Sequence, residues 1–265
     1  MSETFLTKIL NHKAEEVTRQ RVKVPVAVLE KRIGRAPVVR DFAAALRRPG
    51  ATALIAEVKK ASPSRGVLME SFDHLALART YIAGGAAAIS VLTDVRFFQG
   101  SLKYLESIRD LPDAPPLLRK DFIIDPYQIY EARAYGADAL LLIVAALDDA
   151  SLRDLLALTV SLGMQALVEV HNEAELERAL NIGAPVVGVN NRDLHSFQIS
   201  LDTTARLARL LPVGPSRPVL VSESGIFTPE HVAQVRALGA NAVLVGEALV
   251  TAADILAQVR LITSA

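Results

Sequence analysis

The chain has 265 residues, of which 29 are basic, 29 acidic and none cysteine, and 51% are hydrophobic. Balanced charge leaves no field to draw nucleic acid or a membrane surface, and the missing thiols exclude disulfides, thiolate nucleophiles and cysteine-bound metals. Charges interrupt the opening MSETFLTKILNHK, and the longest apolar run, Ala137–Leu147, is broken by Asp138 and too short to cross a bilayer. The expectation is a soluble, cytoplasmic protein with a core large enough for one sizeable domain.

The first fifty residues carry Leu6, Ile9 and Leu10 at helical spacing, then the basic stretch RQRVKVP, then a second short helical pattern from Val26 to Ile33. They predict a helical extension over 1–50, packed on the rest of the chain, with Pro49-Gly50 at the junction. From about Thr52, short apolar runs alternate with longer amphipathic ones. The runs TALIAEV, AAAISVL, PLLRK, ALLLIV, QALVEV, VVGVN, PVLVSE and AVLVGE lack polar alternation, as strands buried on both faces do. The stretches between them, such as PYQIYEARAYG and DDASLRDLLALTVSLG, start at candidate caps Ser71, Asp148 and Thr228 and stop at Gly84, Gly136, Gly163 and Gly239. Eight strand–helix units without a break in composition predict an α/β fold, a single (β/α)8 TIM barrel over 51–265 that forms one domain with the extension. A Gly-Ala pair precedes the second, fourth, sixth and eighth strands, at Gly85, Gly136, Gly183 and Gly239. It marks either a doubled β/α repeat or simply a convenient helix stop.

Barrel active sites form at the carboxyl ends of the strands, so the residues there are the informative ones. The first strand ends Glu57-Val58-Lys59-Lys60, the third Arg119-Lys120-Asp121, the fifth at Glu169 and the seventh Ser222-Glu223-Ser224-Gly225. The even strands end in smaller or neutral groups, among them Thr93-Asp94, Asn190-Asn191 and Gly246. Alternation points Glu57 and Lys59 to one side. Carboxylates and ammonium groups confined in one mouth shift each other's pKa values, as acid–base catalysis near neutral pH requires. A purely structural set of inward ion pairs is the competing reading, though an apolar lid would cost less.

Gly225 and Gly246 follow the last two strands, each expected to lead into a helix start where bare N–H groups attract a dianion. Glu247 is then expected to point away from that anion. SPSRG, residues 62–66, reads as a mobile first loop in which Ser62 helps hold phosphate or forms an ordinary turn. His12, His74, His171, His195 and His231 show no metal-pair spacing and read as surface or helix-cap residues.

Taken in order, IAEVKKASPSRG, ISVLTDVRFFQGS, LLRKDFIID, LVEVHN, GVNNRDL, VSESGI and VLVGEAL resemble the successive motifs of the indole-3-glycerol phosphate synthase family, from Leu54 to Leu249. The extension is similar to the helices that precede the barrel in that family. The resemblance implies a carboxy-lyase of tryptophan biosynthesis that closes 1-(2-carboxyphenylamino)-1-deoxyribulose 5-phosphate to indole-3-glycerol phosphate, losing carbon dioxide and water. It implies no cofactor and no metal. It makes Lys120 the general acid at the carbonyl, Glu169 the base of the dehydration and Lys59 the partner of the substrate carboxylate. Glu57 then positions the lysines, and Asn190 and Glu223 surround the sugar and reacting centre. Ser62, Ser224, Gly225 and Gly246 fall where the family grips phosphate and substrate, and Phe98 and Arg192 line the anthranilate side. Two alternatives stay open. One is phosphoribosylanthranilate isomerase, which would need a cysteine base that is absent, and the other is a silent barrel that binds a phosphorylated ligand or a partner protein.

Overall fold

The computed structural model describes residues 4–63, 65–194 and 196–265. His195 and the Ser64 of SPSRG lie outside them. Eight parallel strands close on themselves: β1 (Ala53–Val58), β2 (Ala88–Leu92), β3 (Leu117–Lys120), β4 (Ala139–Ile143), β5 (Gln165–Val170), β6 (Val186–Asn190), β7 (Val219–Glu223) and β8 (Ala242–Val245). The ring closes where β1 pairs with β8, Leu54 opposite Val243. All eight predicted runs are strands, and β1, β2, β4, β7 and β8 are buried along their whole length. The barrel interior and the layer between sheet and helices form two separate apolar clusters, as a two-faced sheet requires.

The extension supplies α1 (Phe5–Lys23), α2 (Val26–Ile33) and α3 (Phe42–Leu46). The basic stretch belongs to α1, which runs through it to Lys23. Phe42, Ala43 and Leu46 of α3, a helix the sequence did not signal, join the interior cluster and stopper the amino-terminal end of the barrel. Asp138, at that same end, accepts from the Leu117 and Arg40 amides and from Arg109, so the charge that interrupts the apolar run is fully paired.

The Gly-Ala repeat has a local cause. Gly85, Gly136, Gly183 and Gly239 take φ between 71° and 88°, and each following alanine donates its N–H five residues back, for example Ala137 to the Ala132 carbonyl at 2.9 Å. This is a Schellman helix stop, and it requires a residue that tolerates left-handed backbone. Asp148 caps its helix as expected, and Thr228 occupies the cap position ahead of Pro229 without capping a helix amide through its side chain. Ser71 does not cap; Asp73 does, accepting from the Leu75 and Ala76 amides. The first loop contains a two-rung hairpin, Ala61 opposite Val67, turned with the help of Gly66 at φ 70°.

Candidate active site

Register lifts the charged strand ends to one level. Asn190 pairs with Glu223, Ile143 with Glu169 and Leu92 with Lys120. Inside this mouth the Lys120 ammonium stands 3.4 Å from Glu169 Oε2 and 3.4 Å from Glu223 Oε2. Lys59 Nζ pairs tightly with Glu57 Oε1, two residues back along β1, so alternation does place both side chains inward. Among the described residues neither carboxylate oxygen of Glu223 has a well-formed hydrogen bond. Its carboxyl lies over Gly188 of β6, where a Cβ would stand 2.1 Å from Glu223 Oε1 and force the carboxyl to move.

These buried groups push one another apart in proton affinity. For Lys120, burial favours the neutral amine, but Glu169, Glu223 and Glu57 outweigh it and hold the ammonium charged. Burial also opposes ionisation of Glu169, yet Lys120, His171 and Asn190 keep its carboxyl below the usual range. Glu57 is held low against burial by Lys59 and Lys120. Glu223 goes the other way: burial, with Glu169 and Glu57 as like charges, raises it in spite of Lys120. Carboxyls with divergent affinities around one ammonium are the material of acid–base chemistry.

The rim charges do not act as one set. Arg119 and Asp121 flank Lys120 in sequence, but Arg119 points outward, to Glu131, Thr93 and the Gln128 carbonyl. Asp121 meets Lys13 of α1 at 3.0 Å, and Asp94 meets the same ammonium at 2.8 Å. The seam that binds α1 to the barrel thus runs beside the mouth, and Lys13 could not be linked to it by any spacing in the sequence.

The cavity over the mouth has a charged and an apolar side. Phe98, Phe122, Leu141 and Ile143 face Phe5, Leu6 and Ile9 of α1 across it, with Ser62, Arg192 and Asn190 around the margin. The sequence pattern marked Leu6 and Ile9 as apolar helix positions but not as part of a cavity wall. A second concavity beside it is lined by Lys59, Arg192, Ser224, Gly225, Phe227 and Gly246. A Cβ at Gly246 would stand 2.4 Å from Glu57 Oε1 and 3.1 Å from Lys59 Nζ, so only glycine lets that backbone come so close. Ser224 and Gly225 turn left-handed in succession, at φ 64° and 83°, strain that tends to be kept at functional turns. Ser62 Oγ is buried with no partner among the described residues.

Three expectations need correction. Gly246 caps the short helix Glu247–Val250, but Gly225 is separated from its helix by the loop leading to Pro229. Glu247 does not turn away: it lines the concavity, countered by Arg65 at 3.2 Å and Arg192 at 3.8 Å. His171 is neither a surface nor a cap residue, for its ring lies between Glu169 and Glu175. Its partner Glu175 sits in the first turn of the next helix, three residues past the cap Asn172. His12, His74 and His231 lie in helices away from the mouth, His231 accepting the Phe227 amide. Among the described residues no group of three or more acidic or histidine side chains could hold a metal, and no helix is long and apolar enough to cross a membrane.

A closed parallel barrel with ammonium and carboxyl groups gathered at the carboxyl ends of its strands defines a (β/α)8-barrel enzyme. The fold alone is shared widely: 3-hexulose-6-phosphate synthase from Salmonella typhimurium superposes with a TM-score of 0.65 at 15% identity, over 80% of this chain and 97% of that one. The sequence is more specific. The profile described as indole-3-glycerol phosphate synthase matches residues 6–262. Proteins of that name from Roseiflexus sp. (strain RS-1) and Roseiflexus castenholzii are 69% and 68% identical to it, each over 97% of both chains. The chain belongs to the indole-3-glycerol phosphate synthase family. Its activity is that of a carboxy-lyase of tryptophan biosynthesis acting on a phosphorylated small molecule, the ring closure set out above.

Proposed function

We propose that the mouth divides this reaction among the residues that converge there. The observation that carries the proposal is Lys120 held between Glu169 and Glu223, 3.4 Å from each. As the aryl carbon attacks the ribulose carbonyl carbon, the Lys120 ammonium gives a proton to the carbonyl oxygen, which becomes a hydroxyl. The carboxylate then leaves as carbon dioxide and returns its bonding electrons to the ring. Lys120, which regains a proton from solvent, gives it to the hydroxyl, which departs as water, while Glu169 removes the proton whose loss forms the indole double bond and later releases it to solvent. Lys59 neutralises the substrate carboxylate, Glu57 positions the lysines, and Asn190 and Glu223 hold the sugar near the reacting centre.

The unpartnered Ser62 hydroxyl and the backbone at Ser224, Gly225 and Gly246 receive the phosphate, and Lys59 and Arg192 add positive charge to that end. Phe98 and the apolar wall take the anthranilate ring, with Arg192 at its edge. The ion pairs of Lys13 support treating residues 1–50 and 51–265 as one domain, and the biosynthetic role fits the cytoplasm.

The split between kcat and KM tests these roles. Glu169→Gln keeps shape while losing basicity, so kcat should fall by about a hundredfold or more with substrate still bound. Lys59→Met should act chiefly on KM. If Glu169→Gln turns over like the parent, the base is misassigned.

A further inference from the structure

Glu169 has two carboxylate oxygens, and the roles above use one. Oε2 faces Lys120; Oε1 faces away from it, with His171 Nε2 at 3.4 Å. That ring nitrogen is buried and has no better-formed hydrogen bond among the described residues. The other ring nitrogen, Nδ1, lies 3.0 Å from Glu175 Oε2, which also accepts the His171 backbone N–H at 2.8 Å. Glu175 is pinned in turn. Its Oε1 accepts from Asn172 Nδ2 at 2.7 Å, and Asn172 Oδ1 accepts the Glu175 N–H at 3.0 Å, capping the helix Glu173–Asn181. The imidazole therefore cannot turn without losing its contact with a carboxylate that the helix start holds in place.

We infer that His171 is a positioning residue for the reaction: its imidazolium grips Oε1 of Glu169 from behind and keeps Oε2 turned to the reacting centre. The inference rests on Glu169 being the base proposed above. Burial works against a charged ring, but a carboxylate on each side outweighs it and raises His171 to about 10. The other groups acting on Glu169 or the charges beside it are Lys120 from β3, Asn190 from β6, Glu223 from β7 and Glu57 from β1. Without His171, Lys120 would be the cation left to answer Glu169 and Glu223, since Lys59 is paired with Glu57, and Glu169 would keep its proton to higher pH. A second cation behind the base gives it a defined charge and direction without occupying the cavity.

The pH dependence of kcat for His171→Gln and His171→Lys, measured beside Glu169→Gln, tests this. His171→Gln should move the acidic limb of kcat upward by at least about one pH unit, the usual effect of an adjacent opposite charge, with KM little changed. His171→Lys restores a cation and should bring the limb back toward the parent's position. A merely structural histidine would lower the melting temperature and leave the limb in place, and that result overturns the inference. If Glu169→Gln itself keeps the parent's limb, Glu169 is not the base and both readings fall. If Glu169→Gln abolishes the limb while His171→Gln leaves it unmoved, the role of His171 alone fails. Should neither histidine variant fold, the ring ¹⁵N shifts of the parent's five histidines decide. One imidazole doubly protonated at about pH 8, above the ordinary histidine range, supports the inference, and none overturns it.

Discussion

Two clusters of buried charge lie side by side on this barrel and are built differently. In the seam under α1, Lys13 meets Asp94 at 2.8 Å and Asp121 at 3.0 Å, and Arg119 meets Asp121 at 3.1 Å and Glu131 at 3.2 Å. In the mouth, Lys120 stands 3.4 Å from each of two carboxylates. Each sets a lysine among carboxylates, and residues 119, 120 and 121 at the end of β3 divide between them. The seam's charges stand within 3.2 Å of their partners. The Lys120 ammonium stands farther from its carboxylates, at a cavity, which leaves it free to exchange partners with a substrate.

The largest effect expected from this difference is on turnover. Lys120→Met removes the proposed acid's proton at similar length, and kcat should fall between about a hundredfold and ten-thousandfold, with less loss of stability than the seam variant below. Steady-state kinetics beside thermal unfolding measures both, and an unchanged kcat would shift the acid's role to Lys59. Lys13→Met should do the reverse. Removing one partner of a buried ion set leaves uncompensated charge and costs about 3–5 kcal/mol, readable by denaturant titration. Unaltered stability would mean that close pairing is no guide to a structural role.

The seam should also hold as pH falls. Burial works to raise Asp121, but Lys13 and Arg119 outweigh it and hold its carboxyl well below the usual range. A carboxyl lowered on folding adds stability that is present above its unfolded value, near 4, and lost only as pH drops toward the folded one. Asp121→Asn should therefore cost stability at pH 7, and the deficit should shrink under strong acid.

Glu223 carries the opposite sign and the smallest effect. A carboxyl raised on folding favours the folded state only below its unfolded value, and the advantage disappears as pH rises through the folded one. Glu223→Gln should thus raise the melting temperature at neutral and higher pH, by about 2–4 °C, and change it little near pH 4, while turnover falls. A stability gain equally large at pH 4 would show that packing, and not charge, is relieved.

The sequence by itself determined the barrel, its eight strands and the residues at their carboxyl ends. Those depend on local periods: unbroken apolar runs for doubly buried strands, and glycines that stop helices in left-handed backbone. Glu57, Lys59, Lys120, Glu169 and Glu223 could be read from that pattern because strand ends in a barrel all reach one rim. Only the tertiary structure decided which way each charge faces. Arg119, Lys120 and Asp121 are consecutive, and only closure of the ring shows Lys120 turned in while Arg119 and Asp121 meet α1 and an outer helix. The same holds for Lys13 of α1 with its two aspartates, the Phe5, Leu6 and Ile9 wall and Glu247 under two arginines. Each joins side chains on different elements, and an ion pair or a cavity wall leaves no period in the sequence, because it depends on distance in space and not on spacing along the chain.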